Sequence, residues 1–293
     1  MKPQRILHHA FELKGNRGDV IRGDVRSSQD REGQPVLVIA HGFKVFKDWG
    51  PYPSIGEQFA KAGFVSVVFN FSHNGVGRDL QRISDFERFA KNTITQEVGD
   101  LGRVIDAVVE GRIPLGPADK RSVAVVGHSR GAGVAIVRAW RDLRIRAIAA
   151  WSAVSTFDRW TERQKQEWRK RGYLSLVDPK LKPTFRMGVE FLDDLDKNGR
   201  KLDIEKAVSE LDVPLLLVYG KQDLVTPVAE AEKLYAKSDR TKTELVIVEN
   251  TGHMLGGVTS PFRGSSVLDH IIDLTLSWLG RNLVPGRKPD ADT

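Results

Sequence analysis

Gly127-His128-Ser129-Arg130-Gly131 sets a serine inside a G-x-S-x-G pentapeptide, with an apolar run at 122–126 before it and a helix-period stretch at 132–140 after it. That context is the strand, tight turn and helix of a nucleophile elbow. The two glycines let the backbone turn sharply and the helix pack close to its neighbour. The turn lifts the hydroxyl clear of the sheet and aims the helix N-terminus at the place where negative charge develops during acyl transfer.

A serine hydroxyl is a weak nucleophile at neutral pH, so it needs a base within hydrogen-bond reach and a third group to orient that base. Seven histidines compete for the first role. His8 and His9 precede the core, His41 and His128 sit inside other motifs, His270 lies in a helical pattern, and His73 follows an early strand. His253, in Asn250-Thr251-Gly252-His253-Met254, follows the last expected strand in a glycine-bearing loop and is the candidate base. For the acid, Gly220-Lys221-Gln222-Asp223 comes directly after the run at 215–219, with Pro227 opening the next helix. Asp223 therefore falls between serine and histidine in chain order. An oxyanion hole needs two backbone donors. The residue after the serine, Arg130, supplies one, and Phe43, in the His41-Gly42-Phe43 turn that ends the run at 36–40, supplies the other.

The elements that position these residues are legible as continuous apolar runs at 36–40, 65–70, 123–127, 147–151, 215–219 and 245–248, the pattern of strands buried on both faces. Helix-period segments at 55–62, 93–109, about 130–141, 227–237 and 266–279 alternate with them, which makes the sheet mostly parallel. An antiparallel hairpin is expected over 11–26, turning at Gly15-Asn16-Arg17-Gly18. The reading is an α/β fold, a mostly parallel twisted sheet flanked by helices. Its first part spans 1–152 and its second 213–283. Residues 153–212 are too long for a simple crossover and are expected to insert a helical cap. The polar stretch 284–293 is expected to be a flexible tail.

Composition narrows the function classes. With no cysteine, disulfides, thiolate zinc sites and a cysteine nucleophile are excluded. The net charge of +7 gathers partly at Arg159, Arg163, Lys165, Arg169, Lys170 and Arg171, but Glu162 and Glu167 interrupt the run. No nucleic-acid motif accompanies it, so it reads as a solvated helix face and no nucleic-acid partner is expected. No run has the length of a signal-peptide core or a membrane span, so a cytoplasmic location is the expectation. No metal site is expected.

The order His41-Gly42-Phe43, Gly127-x-Ser129-x-Gly131, Gly220-x-x-Asp223 and Gly252-His253 resembles the α/β-hydrolase superfamily, in particular its prolyl-oligopeptidase-like and dienelactone-hydrolase-like esterases. The pattern covers roughly residues 20–282. The resemblance implies an eight-stranded, mostly parallel sheet and an acyl-enzyme mechanism without a cofactor. It also implies a cap after the sixth strand, similar to that of feruloyl and cinnamoyl esterases. No amino-terminal propeller precedes the pattern, which points away from peptidase activity. His73, in Phe71-Ser72-His73-Asn74-Gly75, and Trp151 end strands on the same side and are candidate substrate contacts. The expectation is a carboxylic ester hydrolase for a small-molecule substrate. Thioesterase, lactonase, amidase and peptidase activities share the same residues, and a non-catalytic binding protein on this fold is the rival from another class.

Overall fold

The computed structural model describes residues 5–15, 18–176, 185–257 and 265–283. In chain order its strands are β1 (Ile6–Lys14), β2 (Val20–Ser28), β3 (Gln34–Ala40), β4 (Val65–Phe69), β5 (Ala118–His128), β6 (Ile145–Trp151), β7 (Tyr173–Leu176), β8 (Phe185–Gly188), β9 (Leu215–Gly220) and β10 (Thr243–Val248). The helices are α1 (Tyr52–Lys61), α2 (Phe86–Ala90), α3 (Ile94–Glu110), α4 (Arg130–Ala139), α5 (Glu162–Arg171), α6 (Glu190–Asn198), α7 (Ile204–Ser209), α8 (Val228–Lys237) and α9 (Ser266–Leu283).

Eight strands form one sheet in the order β1-β2-β4-β3-β5-β6-β9-β10. The pairings from β4 to β10 are parallel, and β2 joins both β1 and β4 antiparallel. The hairpin expected over 11–26 is present with longer strands; Asn16 and Arg17 of its turn lie outside the described residues, as does the tail at 284–293.

Side chains alternate between two cores, as a strand buried on both faces requires. Along β3, Val36, Val38 and Ala40 join one core while Leu37 and Ile39 join the other. The first core is completed by α3, α4 and α8, the second by α1 and α9. In α3, Thr93 caps the N-terminus through the Gln96 N–H, and the helix stops at Gly111 as its glycine suggests. Among the described residues no helix is long and apolar enough to cross a membrane.

The segment 153–212 was expected to insert a helical cap. It holds α5, α6 and α7, and also the hairpin β7-β8, antiparallel from Tyr173↔Gly188 to Leu176↔Phe185. Its described residues pack into the main core. Trp168, Phe185, Met187 and Phe191 are buried in the same continuous cluster as Phe89, Val134 and Ile136. Asp194 of α6 fastens it to the main body by accepting a 2.8 Å hydrogen bond from the Thr95 N–H in the first turn of α3.

Candidate active site

β5 ends at His128 and α4 begins at Arg130, so Ser129 occupies the single residue of the turn. Its φ of 55° and ψ of −122° are unfavourable for a residue with a Cβ. The surroundings hold it there. The Ser129 N–H donates to the Trp151 carbonyl at 2.8 Å, tying the turn to β6. A Cβ at Gly127 would lie 2.4 Å from the Ala132 Cα, and one at Gly131 would lie 2.3 Å from the His41 carbonyl oxygen. Only glycine at both places lets α4 approach β3 and β5 this closely.

Asp223 and His253 reach Ser129 from the loops after β9 and β10. His253 Nε2 is 3.0 Å from Ser129 Oγ, and His253 Nδ1 is 2.8 Å from Asp223 Oδ2. Asp223 also accepts from the Val225 and Thr226 N–H groups at Oδ1, both at 2.8 Å, and from the Thr226 hydroxyl at Oδ2, at 2.6 Å. Burial raises its pKa, but the hydrogen bonds from His253 and Thr226 outweigh that and hold the carboxyl well below the usual range. An ionised carboxylate only accepts, so Nδ1 carries the imidazole proton. Nε2 is then the acceptor facing the serine hydroxyl.

The other two candidates flank the serine. Arg130 opens α4, so its N–H has no acceptor within the helix. Its guanidinium lies over the Phe43 ring, 4.0 Å from the centroid, and Phe43 stacks on Phe89. The same guanidinium pairs with buried Glu97, which also accepts from Asn92 Nδ2 at 2.6 Å. The side chains of Phe43 and Arg130 thereby lock together the two stretches of backbone named as oxyanion donors. The loop carrying Phe43 is anchored further by Lys47, whose Nζ is 2.7 Å from Asp24 and whose N–H donates to Asn70 at 2.7 Å.

A cavity of about 280 Å³ opens beside Ser129, walled by Phe43, Val154, Phe157, Trp160, Phe191 and Val225, with Arg130 and Arg159 supplying charge. Two expected substrate contacts are not part of it. Trp151 lies on the other face of the sheet, where its indole N–H donates to Thr275 of α9 at 3.1 Å. Alternation along β6 puts Ala150 on the site's side and Trp151 opposite. His73 does not line the cavity either; its Nδ1 is 3.0 Å from the Ser72 hydroxyl, on a loop drawn toward α3 by the bond from the Ser72 N–H to Asp100.

Sequence patterning also passes over Thr226 and Glu97. Thr226 has a local signal, because a hydroxyl three residues after a loop aspartate can close onto it. Glu97 has none, since its partner lies on another element.

Two buried histidines make the site sensitive to acid. His41 Nδ1–H donates to the Gly42 carbonyl at 2.8 Å, and burial, opposed by that bond and helped by Arg130, lowers its pKa to about 4. His128 is lowered to about 4 by burial and by His253. Unfolding releases both to the ordinary histidine range, so the unfolded chain binds more protons between pH 4 and 6.5. Stability from each is complete above that window and is lost as pH falls through it, by about 3 kcal/mol apiece. Asp100, raised to about 6 by burial, and Glu97, also raised by burial, act with the opposite sign and offset part of the histidine contribution. His41→Gln removes one of the histidine contributions, so the difference in thermal midpoint between the variant and wild type is expected to shift in the variant's favour as pH falls from 6.5 to 4.5. Wild-type and His41→Gln midpoints that change in parallel across this window contradict the assignment.

Comparison with known proteins agrees with the fold. The family model described as "Alpha/beta hydrolase family" matches residues 37–261. No curated protein matches. Among solved structures, the α/β hydrolase GrgF from Penicillium sp. sh18 is similar over 94% of this chain and 99% of its own, at 18% identity and a TM-score of 0.73. A dienelactone hydrolase from Anabaena variabilis ATCC 29413 matches at 15% identity and a TM-score of 0.62, over 95% of this chain and 99% of its own. Est1E from Butyrivibrio proteoclasticus matches at 14% identity and a TM-score of 0.64, over 93% of this chain and 98% of its own. At these identities the likeness shows the shared fold, and with the family match covering most of its length, the chain belongs to the α/β hydrolase family.

Proposed function

We propose that the protein is a serine hydrolase that cleaves carboxylic ester bonds through an acyl-enzyme. The supporting observation is the continuous hydrogen-bonded line from Ser129 Oγ through His253 to Asp223. In this reading His253 Nε2 takes the serine proton as Oγ attacks the ester carbonyl. The N–H groups of Phe43 and Arg130 hold the resulting oxyanion, and Asp223 stabilises the imidazolium. His253 then gives its proton to the departing alcohol, leaving the acyl group on Ser129. Water enters, loses a proton to the same nitrogen and releases the acid. A small-molecule ester is the only partner this reading requires, and it needs no cofactor.

The aromatic wall of the cavity favours an apolar acyl or aryl group of modest size, the guanidinium groups of Arg130 and Arg159 being engaged by Glu97 and Glu230. Trp160→Ala is expected to raise KM for a bulky aryl-acyl ester by about tenfold, the scale of one lost apolar contact, and to change acetate ester hydrolysis far less. Equal changes on both would remove Trp160 from the pocket wall.

A panel of matched 4-nitrophenyl esters, thioesters, anilides and lactones tests the bond class. Saturable ester turnover is the expected result. Turnover confined to thioesters, lactones or amides would overturn the ester assignment, and no turnover together with no covalent labelling would favour a binding protein on the same fold.

A further inference from the structure

The residue before the nucleophile has an imidazole outside the proton path. His128 is buried and shares its surroundings with Tyr52, Trp151 and Met254. Its Nε2 is 2.9 Å from the backbone carbonyl oxygen of His253, and its Nδ1 is 3.3 Å from the Tyr52 hydroxyl. That hydroxyl is in turn 3.3 Å from the Gly42 nitrogen.

The chemistry of the two ends fixes the direction of every bond between them. A backbone N–H only donates, so the Tyr52 oxygen accepts from Gly42 and its own proton is free for His128 Nδ1. A carbonyl only accepts, so His128 Nε2 must carry the hydrogen that faces His253. One neutral tautomer satisfies both. Burial keeps it neutral, with the neighbouring His253 acting in the same sense, and burial likewise raises the Tyr52 pKa so that its proton stays in place. The packing is close as well: a Cβ at Gly42 would lie 3.3 Å from both His128 Nδ1 and Ser129 Cβ.

We propose that His128 and Tyr52 are positioning residues, which hold the loop carrying His253 and the turn carrying Phe43 at a fixed spacing on either side of Ser129. The proposal rests on the serine-hydrolase reading. Its physical content is that the base and one oxyanion donor belong to separate loops, joined near the serine by this chain of three hydrogen bonds. Without it, the imidazole and the donor would each keep local contacts but lose their mutual alignment. His128 does not line the cavity, and its ring packs against that of His253 with centroids 5.0 Å apart, so it acts through the base and the effect should fall on the chemical step rather than on substrate binding.

The test compares His128→Leu, His128→Gln and Tyr52→Phe, using the labelling rate with a fluorophosphonate and the kcat and KM of a 4-nitrophenyl ester. Leucine leaves the His253 carbonyl without its donor, whereas the glutamine amide reaches the place of Nε2. His128→Leu is expected to lower labelling rate and kcat by about 10- to 100-fold with KM little changed, as for a catalytic group displaced by a fraction of an ångström to an ångström. His128→Gln should recover to within about fivefold of wild type, because the donor returns. Cooperative thermal unfolding checks each variant, and Tyr52→Phe, which removes one oxygen, carries the test if His128→Leu does not fold. Folded variants with a lower thermal midpoint but unchanged kcat and labelling rate would reduce these residues to structural ones and overturn the proposal. Wild-type protein that fails to label would instead overturn the serine-hydrolase reading itself.

Discussion

Ser129→Ala is expected to abolish fluorophosphonate labelling and to lower ester turnover by about 10⁴-fold or more, the scale seen when a member of a catalytic triad is removed. The loss is large because no second nucleophile stands in its place. Asp223 is buried and fully engaged by His253, Val225 and Thr226. The residual rate should come from the oxyanion donors and the cavity acting on water. The fold should survive, since the Ser129 hydroxyl hydrogen-bonds to His253 while the turn is held by the backbone bond to Trp151. Replacing serine by alanine also keeps the same backbone problem at positive φ, so the thermal midpoint should move little. Turnover within tenfold of wild type in a folded variant would remove Ser129 from the mechanism.

Asp223→Asn should cost about 10⁴-fold in kcat while preserving the loop. The amide oxygen can still accept from the Val225 and Thr226 N–H groups, so the main chain has no reason to rearrange. The difference lies at the atom facing His253. An NH₂ there donates toward Nδ1 and shifts the imidazole proton to Nε2, where it meets the serine hydroxyl as a second donor. The base is then blocked in its resting state. A loss of tenfold or less would assign the orienting role elsewhere, and the Thr226 hydroxyl, 3.2 Å from His253 Nδ1, would be the next group to examine.

Much of this arrangement was legible before any coordinates. The runs at 36–40, 123–127, 147–151 and 215–219 are apolar on every residue because both faces are covered, and each became a strand of the parallel sheet. The same property hid which way Trp151 points. A strand with polar residues on alternate positions reveals its faces, but one that is apolar throughout does not, so the choice between cavity and second core needed the register. The hairpin β7-β8 escaped for a different reason. Tyr173–Leu176 and Phe185–Gly188 are four residues each, with no β-branched residue, and they are stabilised by packing Phe185 against Phe86 and Phe89 rather than by local propensity.

Ser129, Asp223 and His253 were legible as a candidate triad because each follows a strand in a loop with its own glycine, and chain order separated Asp223 from other acids. What holds them in place was not. Glu97 with Arg130, Lys47 with Asp24, and Tyr52 with His128 pair side chains far apart in sequence, and pairing of that kind depends on sheet order. The inserted segment shows the same limit. Its length suggested an inserted cap, yet Trp168 and Phe191 are buried in the main core. Removing 155–210 would open that core to water as well as unroofing the cavity.

Covalent labelling of Ser129 tests the central claim most directly. After reaction with a fluorophosphonate and digestion with trypsin, the peptide spanning 122–130 should carry the added phosphonyl mass, at a rate lowered in Asp223→Asn and at no detectable level in Ser129→Ala. A folded wild-type protein that remains unlabelled, or label found on another residue, would contradict the account.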